Sequence, residues 1–178
     1  IIGRAGVTPS VVLQDIAQNT EFFATFAKEG GDNILRAAIA AKSLGSELGT
    51  VSGIAESLLD FESSIEAQLE ASLLLGRQIN LDRARQLFFV GKTEQGLQEV
   101  LKQVGSEAEF TRLLPIQRQK LASAVGLNVE QLSRLVRNNA AGATGAAVGA
   151  AVGGDGQSVD FLSQIADNTR KTYKGIQG

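Results

Sequence analysis

Apolar positions recur along this chain at intervals of three and four, the spacing of a helix face; no segment keeps the alternation of a strand. Thr8-Pro9 reads as a helix start, Thr as N-cap and Pro in the first turn. Val12, Ile16, Phe23 and Phe26 follow on one stripe up to Gly30-Gly31. Asp32 or Asn33 can cap a second helix with Ile34, Leu35, Ala38, Ile39 and Leu44 inward, broken at Gly45 and Gly49. From about Val51 to Leu75 the pattern predicts one long helix, ended by Gly76. Its core stripe is expected to be Leu58, Phe61, Ile65, Leu69 and Leu73.

Shorter helices are expected beyond it. Asn80 starts one that runs to Phe89 and stops at Gly91, and Thr93 caps the next, stopped by Gly105. Ser106-Glu107-Ala108-Glu109 has the spacing of a capping box. Pro115 opens a helix that ends at Gly126, and Asn128 caps a further one with Val129, Leu132, Leu135 and Val136 inward. The expected fold is all-α: short helices closed by Gly around one long helix, with an Ala/Gly-rich segment before a C-terminal helix. The expected divisions are a helical domain over 1–137, a small-residue segment over 138–157, and a C-terminal helix and tail over 158–178.

Composition narrows the chemistry. The 178 residues carry a net charge of −2 and contain neither Cys nor His. Disulfides, thiolate or His-dependent nucleophiles and His- or Cys-ligated zinc sites are thereby excluded. Ile1-Ile2-Gly3-Arg4 has no signal-peptide pattern, and the absence of any Met suggests a piece of a longer protein. Glu62, Glu66 and Glu70 stand four residues apart, with Glu56 and Asp60 as a second pair. Without His to complete a bundle metal site, these read as a solvated acidic ridge. No cofactor, metal or catalytic residue is expected.

Residues 121–136, LASAVGLNVEQLSRLV, have the spacing of a helix-turn-helix, with Ala122 and Gly126 at the crossing. An ordinary corner between two helices needs the same small residues. The second helix carries Arg134 and Arg137 but also Glu130, on an acidic chain, so specific nucleic-acid binding is not expected. The run AAGATGAAVGAAVGGDG, residues 140–156, places Gly145, Gly149 and Gly153 on one helix face, as two overlapping GxxxG units. A linker, a close-packed oligomeric helix and a conditional membrane segment all remain open for it.

Three stretches resemble phage tail tape-measure proteins: IAESLLDFESSIEAQLEASLLLGRQINLDRAR (54–85), QVGSEAEFTRLLPIQRQKLASAVGLNVEQLSRLV (103–136) and LSQIADNTRKTYKG (162–175). The acidic helix followed by LGRQINLDRAR is the most distinctive part. The resemblance implies a helical structural virion protein, in a few copies inside the tail tube and baseplate hub. It would contact tube and hub proteins, take part in tail assembly and length determination, and reach the host membrane during genome ejection. It also implies a homo-oligomer, three copies being preferred and six the alternative. Even one continuous helix of this length would span only about 270 Å at 1.5 Å per residue, so the length-setting ruler is expected upstream. Two other readings remain: a helix-turn-helix DNA-binding or adaptor module, and a membrane-active pore-forming protein.

Overall fold

Residues 7–152 are described by the computed structural model, with side chains through Ala141. Every regular element among them is helical. In chain order these are α1 (Pro9–Gln18), α2 (Thr20–Phe26), a 3-10 turn (Glu29–Gly31), α3 (Asp32–Ser43), α4 (Leu48–Leu59), α5 (Phe61–Leu75), α6 (Asp82–Phe89), α7 (Thr93–Val104), α8 (Glu107–Arg112), α9 (Pro115–Ala124) and α10 (Val129–Val152). The chain divides into two compact units, residues 1–140 and 141–178.

The core of the first unit grows from α3 and α4. The inward face of α3 is Ile34, Ala37, Ala38 and Ala41, and that of α4 is Leu48, Val51, Ile54, Ala55 and Leu58. The alanines let backbones approach closely, and α4 lies against α1, α3, α5, α6 and α7. Phe88, Leu97, Val100, Leu121, Leu132 and Leu135 fill the space around this pair.

Gly45, Gly76, Gly91, Gly105 and Gly126 all have positive φ and stand where helices end. Gly49, expected to break a helix, lies inside α4, because its position in the second residue of that helix needs no unusual backbone. The first expected helix is two, divided at Asn19, whose Nδ2 donates to Asp15 O at 2.7 Å. The Ser106 box forms: Glu109 N donates to Ser106 Oγ at 3.2 Å and Ser106 N to Glu109 Oε2 at 2.7 Å. Asn128 and Gln131 make the same reciprocal pair at the start of α10. Thr93 does not cap α7. It is its first residue, fully buried, and its hydroxyl donates to Asn33 O at 3.2 Å.

The long helix expected over 51–75 is also two helices. Asp60 has non-helical backbone (φ −77°, ψ 83°) between α4 and α5. Its amide donates to Glu56 O, its carbonyl accepts from Ser64 N, and its carboxylate accepts from Ser63 Oγ at 2.8 Å. A short polar side chain that bonds nearby groups competes with the helix backbone in this way. The break changes the rotational phase of everything after it. Among the described residues the longest helix is α10, whose 24 residues carry the small-residue run as helix as far as Val152.

Candidate interaction surface

The inward face of α5 consists of Ser64, Ala67, Gln68, Ala71, Ser72 and Leu75, a row of mostly small and polar side chains. That face is held by a polar network. Arg85 of α6, nearly inaccessible, donates from Nε to Ser64 Oγ (3.0 Å) and from its terminal nitrogens to Ser64 O (3.1 Å), Gln68 Oε1 (2.9 Å) and Asp82 Oδ1 (2.6 Å). Gln68 Oε1 also accepts from Leu81 N at 3.0 Å, and Ser72 Oγ accepts from Ile79 N at 3.0 Å. The side chains of α5 thus satisfy both a buried cation and the backbone of the loop after Gly76. Removing either partner would leave buried polar groups unpaired, which is costly.

The expected core stripe is corrected by this arrangement. Only Leu58, on α4, is buried. Phe61, Ile65, Leu69 and Leu73 are 49, 47, 58 and 83% exposed. With the polar face of α5 turned in, its i, i+4 apolar stripe can only face out. Phe89 of α6, 71% exposed, extends the surface: Phe61, Ile65, Asp82, Arg85, Gln86 and Phe89 line one shallow groove of about 380 Å³. Phe89 was expected only as the end of a helix, and its side-by-side placement with α5 could not be read from spacing. Isolated exposed apolar residues are ordinary on protein surfaces, whereas a continuous row of this size marks an interaction site.

Glu62, Glu66 and Glu70 are exposed and run beside the stripe. Glu70 pairs with Lys120 of α9 at 2.7 Å. Among the described residues no group of acidic side chains is placed to hold a metal ion. Among the described residues, the Glu109 carboxyl is held below the usual carboxylate range. It is lowered first by the hydrogen bond from the Ser106 backbone, then by that from its hydroxyl, with smaller help from the Arg77 and Arg112 charges.

At the helix-turn-helix candidate, α9 and α10 meet through a turn at Gly126, with Leu121, Ala122, Leu132 and Leu135 buried. Gly126 has φ +74°, and a Cβ there would stand 2.3 Å from Ser57 Cβ and 2.9 Å from Gly53 O. The small residue is required by contact with α4. On α10, Arg134 pairs with Glu130 at 2.8 Å and Arg137 lies 3.9 Å from Glu107. Both cations of the would-be recognition helix, Arg134 and Arg137, therefore have a carboxylate beside them, which reduces the local positive potential.

Gly145 and Gly149 belong to the backbone of α10, while Gly153 lies outside the described residues, as does the expected C-terminal helix. Among the described residues no helix is long and apolar enough to cross a membrane. No family model, curated protein or solved structure matches the chain.

Proposed function

We propose that this chain is the C-terminal region of a phage tail tape-measure protein, a structural virion protein held in the tail tube and baseplate hub. Its roles would be tail assembly and length determination, with a part in envelope penetration during genome ejection. The reading starts from the resemblance of residues 54–85, 103–136 and 162–175. One structural observation carries it further: the distinctive segment 54–85 turns an apolar row outward, the disposition of an assembly component. An enzyme would call for convergent reactive groups instead. The test is position in the intact particle. Antibody or density labelling of purified virions is expected to place the chain at the distal part of the tail. Its absence from purified particles would overturn the reading.

A further inference from the structure

We propose that copies of this chain associate side by side, in parallel, through the exposed face of α5, with Phe61, Ile65, Leu69, Leu73 and Phe89 as the contact. The inference names the partner for the surface on which the tail reading rests, and it stands on three observations.

The first is area. At the roughly 150–250 Å² of a large apolar side chain, the exposed fractions of these five residues leave on the order of 450–750 Å² of apolar surface per copy. A standard interface buries about 800 Å² per partner, somewhat over half of it apolar, so a second copy of the same face is enough to cover it. The second is length. Phe61 to Leu73 spans about three turns of α5, with Phe89 of α6 beside its first turns, so the row offers an extended surface and not one anchor.

The third is charge, and it decides direction. Glu62, Glu66 and Glu70 flank the apolar row on one side, and α6 with Gln86 and Phe89 borders it on the other. A twofold axis perpendicular to antiparallel α5 helices would bring the acidic flanks of two copies together. Like charges facing one another across an interface are strongly unfavourable. An axis along the helices instead sets the acidic flank of each copy against the α6 side of the next, where Gln86 and Phe89 are uncharged and the one carboxylate, Asp82, is already paired with Arg85 at 2.6 Å. The same packing operates about a twofold or a threefold axis, so closed rings are built without a new contact.

The experiment uses the full chain. Because it contains no Cys, single cysteines report contacts directly. Wild-type protein is expected to sediment as a dimer or trimer at micromolar concentration. The double variant Ile65→Glu, Leu69→Glu is expected to be monomeric with an unchanged helical circular dichroism spectrum, since both positions are exposed, and with a melting temperature independent of protein concentration, whereas that of the wild type rises with concentration. Under mild oxidation Phe61→Cys is expected to cross-link to itself. A monomeric wild type, or a double variant that stays associated, would overturn the proposal. So would cross-linking that occurs only between Phe61→Cys and Leu73→Cys chains, because that requires antiparallel helices. Binding of monomeric wild-type chain to liposomes of phosphatidylglycerol and phosphatidylethanolamine, abolished in the double variant, would assign the face to lipid and equally overturn it. Self-association with no chain in virions would sink the tail reading alone; a monomer found in virions would sink only this one.

Discussion

At Gly126 and Gly76 the same residue type has two different reasons to be there. Both have positive φ, but a Cβ at Gly76 would meet nothing within 4 Å, whereas one at Gly126 would collide with Ser57 and the Gly53 carbonyl. Gly76→Ala is expected to cost about 1 kcal/mol, the left-handed backbone term alone. Gly126→Ala adds steric displacement of α4 and is expected to cost about 3 kcal/mol. Urea unfolding of the two variants measures the difference, and equal losses would mean that the α9–α10 turn does not press on α4. Arg85 and Leu69 make a second contrast. Arg85→Ala strands Ser64 and Gln68 and is expected to cost about 3 kcal/mol. Leu69→Ala, measured in dilute solution, is expected to cost under about 0.5 kcal/mol, because the side chain is exposed. The reverse ranking would restore the apolar stripe of α5 to the core.

At the scale of the element, short helices depend on their ends. With only six residues, α8 relies on its reciprocal Ser106–Glu109 box, since four amides at any helix start lack intrahelical partners. The Glu109 carboxyl titrates below its ordinary value of 4.5 in the folded chain. Its contribution is therefore fully present above that value and is lost as pH falls through the lower, folded value. The expected outcome is that amide signals of α8 shift toward random coil in acid before those of α4 do. Glu109→Gln should remove that separate step. Coincident transitions in α4 and α8 would show that the box does not act alone. A buried counterpart holds α4: Asp15 Oδ2 accepts from Leu48 N at 2.9 Å and stands 3.2 Å from Lys42 Nζ. A side chain on α1 thus caps a helix more than thirty residues away, so Asp15→Ala is expected to cost about 2 kcal/mol and to loosen the start of α4.

On the scale of the whole molecule, charge balance governs what the chain attracts. With a net charge of −2 and carboxylates beside Arg134 and Arg137, the protein is expected to bind DNA weakly and without sequence preference at physiological salt. A retardation assay with random and tail-sized duplexes checks this. Tight, sequence-dependent binding abolished by Arg134→Ala would favour the helix-turn-helix reading instead. The glycine face of the small-residue run belongs to the same scale. Placing Leu at Gly145, Gly149 and Gly153 should leave tail assembly intact and abolish infectivity, if close helix contact there is used at ejection. Normal infectivity and unchanged liposome leakage would reduce the run to a spacer.

Much of the helical plan was written locally. Glycines that must adopt positive φ stop a helix wherever they fall, and the Ser106-Glu109 and Asn128-Gln131 spacings close caps from neighbouring residues alone. The all-α class followed from a period of three to four without alternation. The orientation of α5 did not follow from any such rule. Both of its faces are regular: Phe61, Ile65, Leu69 and Leu73 repeat every four residues, and Ser64, Gln68 and Ser72 do the same. Apolar period favours burying the first row. Only the folded chain brings Arg85 and the 76–81 loop to the second, where buried donors need the oxygens that Ser64, Gln68 and Ser72 supply. Hydrophobic area is non-directional and can be satisfied later by a partner, while a buried guanidinium must be paired within the fold. That asymmetry turned the apolar row of α5 outward.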